Sequence, residues 1–424
     1  MIDEVANIVL TRDTRNNVCH VGHQHPTVVE AVQRQVASLN TNTRYLHPNA
    51  ALLAKRLAHL LPDPLEVVFF VNSGSEANDL ALRLARAYSG TKNTIVVERA
   101  YHGHTFAVTE ISPYKFENTG EMKLVQNGPH MTPGQHIWKV PCPDTYRGPH
   151  KDPETAGKLY ADYIKEACQT YQEERGEKVS VFIIESGMSI AGVIMPPKNY
   201  FRHAAKFVRD AGGLFIADEV QTGFGRFGEC FWGFQYQNDD VVPDIVTMAK
   251  PMGNGMPLAA VATTRKVAEA FEAIGSEYFN TFGGNPVCAA AGLAVLDVIE
   301  SEGLQAKAKE VGGYLKCKFQ ALKERLDIIG DIRGCGFFLG IELVRDLQTQ
   351  EPATEETSFI CTKLKEKYSI LTSIDGPHDN VLVVKPPMVF SKADADEFVG
   401  CFEKVVLEDL AMEDGIMGTE KTPT

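Results

Sequence analysis

The chain has 424 residues, 44% of them hydrophobic and 23% charged, a globular balance with length for a large domain and a smaller companion. Its 42 Lys and Arg against 55 Asp and Glu leave a net charge of −13. That excludes the basic footprint of a nucleic-acid binder, so any phosphorylated ligand has to be held by local groups. The nine cysteines stand singly, with no Cys-x-x-Cys pair for zinc or redox work, which fits a reducing compartment. The first residues, Met-Ile-Asp-Glu, carry acid where a secretory or mitochondrial leader carries base, and the longest apolar run, Val287 to Leu296, is too short to span a bilayer. A soluble protein of the cytoplasm or mitochondrial matrix, with no membrane and no nucleic-acid partner, is expected.

In chain order, "HVGHQHP" comes first. The spacing of His20, His23 and His25 fits no common ligand set, so no metal is expected there. The apolar run Val67–Val71 leads through "NSGSE" into Ala77, Leu80, Ala81, Leu84, Ala85 and Tyr88, which fall at helical spacing until Gly90 stops them. Two readings stand for Gly74-Ser75: a helix N-cap by Ser75 with Glu76 in the first turn, or a phosphate cup made by free backbone N–H groups at the positive helix end. Thr94–Val97 precedes the aromatic pair Tyr101-His102, and the proline- and glycine-rich stretch 118–155 reads as a long loop or insertion. Val179–Ile184 ends at Glu185 and Leu214–Ala217 ends at Asp218. The glycines of "GFGRFG" that follow do not open a helix directly after a strand, so a dinucleotide site is not expected. Ile245–Met248 ends near a lone cation, Lys250, in "AKPMGNGMP", and Leu258–Val261 follows. On its own Lys250 reads as a surface lysine in a turn.

Strands so uniformly apolar are buried on both faces, as in a mainly parallel sheet covered by helices, which makes the class α/β. Past residue 300, amphipathic helices (Leu304–Leu322, Glu355–Lys367) surround short strands (Phe337–Leu343, Asn380–Val384), a smaller α+β domain. The division is an N-terminal segment 1–40, a large domain 41–300, a small C-terminal domain 301–412 and a tail 413–424. Glu185, Asp218 and Lys250 then converge outside the carboxyl ends of parallel strands, where open α/β sheets bind ligands. An amine, an acid, a phosphate cup and an aromatic face are the parts needed to hold pyridoxal phosphate as a Schiff base. Lys250 is thereby placed at a strand end, with its neighbouring glycines expected to leave room for cofactor and substrate.

With these motifs the chain resembles the class III aminotransferase family of fold type I pyridoxal-phosphate enzymes. The likeness rests on "NSGSEAN", "AYHGH", "ADEVQTGFGRFG", "PDIVTMAKPMGNG", "FNTFGGNP" and "IRGCGFFLGIEL", in the family's order, from about Asn16 to about residue 410. It implies Lys250 on the cofactor aldehyde, Asp218 on the pyridine nitrogen, Gly74 and Ser75 on the phosphate, Tyr101 and His102 against the ring and Gln221 near the ring hydroxyl. It also implies Thr281 reaching the phosphate of the neighbouring subunit in a homodimer or tetramer, Glu185 gating the substrate side, and Arg333 gripping a substrate carboxylate. A surface arginine before a strand is the other reading of Arg333.

"NTNTRYLH", "NDLALRLAR", "ISPYKF", "PDTYRG", "DGPHDN", "KPPM" and the pair Glu185-Ser186 are similar to the family branch of phospho-lyases acting on phosphoethanolamine or phosphohydroxylysine. A phosphate on the carbon next to the one bearing the reacting nitrogen is a good leaving group, and its loss yields ammonia, an aldehyde and phosphate. The branch implies cations for that phosphate, and Lys115, Arg147 and Lys385 lie in its motifs, each readable also as a solvated side chain. An ordinary transaminase, acting on an ω-amine or on alanine, is the alternative, and an inactive cofactor-binding scaffold a remote one. The residues before Asn16 and the insertion "NGPHMTPGQHIWKV" depart from the family pattern.

Overall fold

The structure, a computed structural model, describes residues 18–117, 134–237, 240–275 and 277–410. Its first sheet has seven strands: β1 (Leu65–Val71), β2 (Thr94–Val97), β3 (Ile137–Val140), β4 (Val181–Glu185), β5 (Leu214–Asp218), β6 (Ile245–Met248) and β7 (Ala259–Thr264). They lie in the order β1-β7-β6-β5-β4-β2-β3. The pairings from β6 to β3 are parallel, while β7 runs against both β6 and β1. Every residue of β4, β5 and β6 is buried, as their unbroken apolar runs require, and each such Ile, Val or Phe contributes about 1.5–3 kcal/mol. The run Val287 to Leu296 lies in a largely buried helix, Pro286–Ser301, packed against the helices Pro26–Ser38 and Pro48–Leu60. Among the described residues no helix is long and apolar enough to cross a membrane.

The stretch 118–155 is not wholly loop. Residues 118–133 lie outside the described ones, but Ile137–Val140 forms β3, the parallel edge strand beside β2. Four residues between Gly134 and Pro141 are too short a run to show periodicity. Trp138 fixes them by packing edge-on against Tyr171, at 5.9 Å between ring centroids.

The second sheet holds β8 (Ile329–Cys335), β9 (Phe338–Asp346), β10 (Glu351–Pro352), β11 (Ser373–Asp375) and β12 (Val381–Val384), ordered β10-β9-β12-β11 with β8 also on β9. Arg226, fully buried, ties it to the first. Its Nη1 donates to Phe337 O (3.0 Å) and Pro386 O (2.8 Å), and its Nη2 donates to His20 Nδ1 (3.1 Å). An arginine only donates, so His20 Nδ1 is bare and its Nε2–H donates to Phe224 O at 2.8 Å. Burial and the Arg226 charge hold that imidazole neutral, well below its usual pKa. "HVGHQHP" and "GFGRFG" thus form a joint between the sheets. Gly228, at φ +77°, belongs to the same joint: a Cβ there would stand 2.5 Å from the Lys309 backbone.

Candidate active site

At the carboxyl ends of the parallel strands lies a cavity of about 300 Å³, lined by Gly74, Ser75, Tyr101, His102, Glu185, Asp218, Gln221 and Lys250 among others. Strand register brings the acids together, since Glu185 of β4 pairs with Asp218 of β5, which pairs with Thr247 of β6. Three residues beyond Thr247, Lys250 opens the short 3-10 turn Lys250–Gly253, with Pro251 behind it. The glycines after it do not widen the cavity. A Cβ on Gly253 would meet Leu258 Cβ at 3.2 Å and Gly255 sits at φ +102°, so they serve close packing and a left-handed turn. Asn254 between them holds that turn to the N-terminal segment, accepting from Val21 N (2.9 Å) and donating to Gly22 O (3.0 Å).

Asp218, 3% exposed, is more firmly anchored than Glu185. Its Oδ2 accepts from Asn78 Nδ2 and His102 Nδ1, both at 2.8 Å, and its Oδ1 accepts from Val220 N at 3.1 Å. Three donors hold this carboxylate in place. His102 therefore meets Asp218 through Nδ1, and its buried Nε2 has no hydrogen-bond partner among the described residues. Asn78 was not foreseen. Its Nδ2 also donates to His102 O (2.7 Å) and its Oδ1 accepts from Thr247 Oγ1 (2.7 Å), so the amide has one possible orientation. The available signal was an asparagine directly beside the apolar stripe Ala77, Leu80, Ala81, Leu84.

Burial pushes the Glu185 carboxyl up to about 7, helped by Asp218 and opposed by His102 and by the N–H groups of Tyr101 (3.0 Å) and Ser189 (3.1 Å). Burial likewise pushes the Lys250 amine below its usual value, against the pull of Asp218, Glu185 and Asp375. Asp375, on β11, was also not foreseen. Its carboxyl is raised by burial to about 6, against the pull of Lys385 and Lys250. Only the distance in sequence between 218, 250 and 375 hid it.

The helix Gly74–Ser89 opens on the cavity. Its N-cap is Ser73, whose side chain accepts from Glu76 N, and not Ser75. Ser75 Oγ instead accepts from His104 N at 3.0 Å. The cradle is tight: a Cβ on Gly103 would come within 2.5 Å of Ser75 Oγ, and one on Gly74 within 2.9 Å of Val220.

The foreseen cations separate into two groups. Lys385, 3% exposed, donates from Nζ to Ser189 Oγ (2.5 Å) and to Gln221 Oε1 (3.0 Å), one hydrogen bond behind the cavity wall. Lys115 lies over the rings of Tyr101 (5.3 Å) and Tyr114 (5.5 Å). Arg147 and Arg333 do not line the cavity; both converge on Glu342, 2% exposed. Arg147 Nε donates to Glu342 Oε1 and its Nη1 to Gln350 O (2.9 Å). Arg333 Nη1 donates to Glu342 Oε2 (2.6 Å) and Asp331 Oδ2 (3.0 Å), and its Nε to Gly192 O (2.8 Å). Thr281 is exposed and outside the cavity.

Residues 14–406 match the family model described as Aminotransferase class-III. The chain belongs to the class III aminotransferase family. It is 48% identical over 419 residues to an alanine–glyoxylate aminotransferase 2-like protein of Drosophila melanogaster, covering 97% of this chain and 82% of the relative. It is 42% identical over 418 residues to ethanolamine-phosphate phospho-lyase homolog 1 of Caenorhabditis elegans, covering 96% and 86%. A phospholyase from Arthrobacter, solved in complex with phosphoethanolamine, superposes with a TM-score of 0.85 at 38% identity over 93% of this chain and 90% of that one. Such family members are pyridoxal-phosphate enzymes of α/β, fold type I architecture, and pyridoxal phosphate is the cofactor here. The residues present fit it: an amine with a depressed pKa, a triply bonded carboxylate, a helix start in a cradle that admits only glycine, and an aromatic wall at Tyr101.

Proposed function

We propose that this enzyme is a phospho-lyase that removes phosphate and ammonia from phosphoethanolamine, leaving acetaldehyde. The observation that carries the reading is Lys385: a buried ammonium beside the cavity with which, among the described residues, no carboxylate forms an ion pair. An uncompensated buried cation is costly, and a substrate phosphate would offset that cost. Two of its three N–H donors go to Ser189 and Gln221, leaving one for an incoming anion. Arg333 narrows the substrate. Its guanidinium already holds Glu342 and Asp331, so a substrate carboxylate would have to displace two acids, and phosphoethanolamine has none.

Pyridoxal phosphate, when bound, supplies an aldehyde for the substrate amine and an electron-withdrawing ring. Asp218 would hold the ring nitrogen protonated, Gly74 and Ser75 would receive its phosphate, and Tyr101 would cover its face. Lys250 would hold the cofactor through its aldehyde and would serve as the base that takes a proton from the carbon bearing nitrogen, a role that its lowered pKa favours. The neighbouring C–O bond then breaks with its electron pair leaving on phosphate, towards Lys385, with Lys115 as a second cation at the Tyr101 wall. Water uptake completes the conversion to ammonia, acetaldehyde and inorganic phosphate.

A homodimer is part of the proposal. Thr43 Oγ1 donates to Asn280 O (3.2 Å), joining two loops that expose Tyr45, Leu46, Phe279 and Phe282 beside Thr281. Exposed apolar side chains on two joined loops support an interface at this place. Transamination is a second reading, supported by the name of the Drosophila relative. One assay separates them: incubation with phosphoethanolamine or phosphohydroxylysine, without keto acid, measuring phosphate and ammonia. Equal release of both from phosphoethanolamine is expected. No release, with turnover once pyruvate or glyoxylate and an amino donor are supplied, would move the enzyme to the transaminases.

A further inference from the structure

Breaking the C–O bond of phosphoethanolamine sets a demand that a cation alone does not meet. The ester is a phosphate dianion near neutrality. If the bond electrons leave with it unaided, the product is the phosphate trianion, a base too strong to depart readily. A proton delivered to the departing oxygen makes it the hydrogen phosphate dianion instead. The proton that Lys250 collects passes to the neighbouring carbon, which ends as the methyl group of acetaldehyde. Lys385 would lose its charge by giving a proton up, when the anion most needs it. The Tyr101 phenol, raised by burial above its usual value, holds its proton too firmly.

Glu185 is left, lining the cavity with Lys250 and 4% exposed. Its Oε1 accepts from Tyr101 N and its Oε2 from Ser189 N, and among the described residues no side-chain donor reaches either oxygen. Each oxygen keeps a second lone pair on which the carboxyl can carry its proton. Ser189 sets this acid beside the cation, since its N–H meets Glu185 at 3.1 Å and its Oγ receives Lys385 at 2.5 Å. The ionisable groups around the carboxyl are Tyr101 and His102 after β2, Cys142 after β3, Asp218 on β5, Lys250 after β6 and Lys385 after β12. Against them, burial keeps the carboxyl protonated up to about 7.

We propose that Glu185 is the catalytic acid of the elimination, passing its carboxyl proton to the phosphate oxygen as the C–O bond breaks. The inference rests on the phospho-lyase reading. The bond electrons and that proton leave together as hydrogen phosphate, with Lys385 beside the anion and Glu185 left as a carboxylate. The water taken up to free ammonia and acetaldehyde returns one proton, which restores the carboxyl. Transamination expels no group and asks for no such acid.

The test compares phosphoethanolamine with 2-aminoethyl sulfate, because sulfate departs as a stable dianion without a proton. Glu185→Gln keeps the shape of the side chain and removes its acid. Its kcat is expected to fall about 10²–10⁴-fold on phosphoethanolamine and less than about tenfold on the sulfate ester, with the visible absorption band before substrate as in the wild type. Glu185→Asp should recover part of the phosphate activity. In the wild type, kcat for phosphoethanolamine should decline above about pH 7, because the acid is then ionised, while kcat for the sulfate ester stays level. Infrared spectra of the substrate-free holoenzyme at about pH 6 should show, in the difference between wild type and E185Q, the C=O band of a protonated carboxyl. Equal losses on the two esters would make Glu185 a structural residue and overturn the proposal. So would a missing infrared band, or a level phosphoethanolamine profile, which decides even if the sulfate ester is refused. A wild-type enzyme that releases no phosphate from phosphoethanolamine sinks the phospho-lyase reading and this acid with it, whereas release with equal losses sinks the acid alone.

Discussion

Two clusters of buried charge lie on either side of the joint between the sheets, and they are built on opposite plans. Around Glu342 the charges are paired: two arginines meet Glu342, Asp331 meets Arg333, and Asn380 Nδ2 lies 3.4 Å from Glu342 Oε1. Around Lys250 the groups are held but not cancelled. Asp218 is anchored by an amide, an imidazole and a backbone N–H, Glu185 by two backbone N–H groups, and Lys385 by a hydroxyl and an amide. Amide, hydroxyl and backbone N–H partners fix the position of a charge while leaving its field for a ligand. The difference supports the proposed chemistry of the second cluster, although both contain residues that the family likeness marks as functional.

The largest effect is expected from Lys250→Ala, which removes the amine outright. Turnover should fall by at least ~10³-fold, and the visible band should be absent from protein refolded or expressed with excess cofactor. A coloured, active K250A protein would dissolve the contrast between the clusters. Next comes Glu342→Gln. It strips the Arg147 guanidinium of its carboxylate and leaves Arg333 with Asp331 alone, so a loss of about 3–5 kcal/mol is expected, read from urea unfolding of the holoenzyme. Its effect on the KM for phosphoethanolamine should be small by comparison. If E342Q proves as stable as the wild type and loses substrate affinity instead, Arg147 and Arg333 belong to the site after all.

The contrast was only half visible in the sequence. Glu185 and Asp218 announce themselves because each ends an apolar strand, and a carboxylate at that place needs a reason. Lys250 follows the same logic from β6. Glu342 gives no such sign: it sits inside "FLGIELVRD", and its partners come from positions 147, 333 and 380, which nothing local associates with it. For the same reason Arg333 and Arg147 read as ligand-binding cations when the fold turns them towards a glutamate. Asn78 and Asp375 were hidden because their roles are set by residues on other strands. The helix cap was misplaced by two residues because Ser73 and Ser75 are equivalent candidates by composition. Only the backbone decides that the first caps and the second receives His104 N.

The smallest expected effect is also the one that most directly probes the unpaired cation. Burial lowers the Lys385 ammonium to about 8, partly held up by Asp375 and pressed further down by Lys250 and Arg226. The signs for binding and for stability then differ. Above that value the residue is neutral in the folded protein, so its grip on a substrate phosphate is lost and the KM for phosphoethanolamine should climb, roughly tenfold per pH unit at most. Stability moves the other way. Between about 8 and the ordinary lysine value of 10.5 the unfolded chain binds the proton and the native one does not, so this residue adds stability as pH rises. Lys385→Met should flatten both trends, giving a KM that is high at every pH and an unfolding free energy with a weaker rise in that window. A wild-type KM that stays level from pH 7 to 9.5 would mean that the phosphate is met by another cation, with Lys115 on the Tyr101 wall as the one to remove next. The Glu342 cluster offers an internal control, because its charges are paired within the fold and E342Q should leave the shape of the KM profile as it is in the wild type.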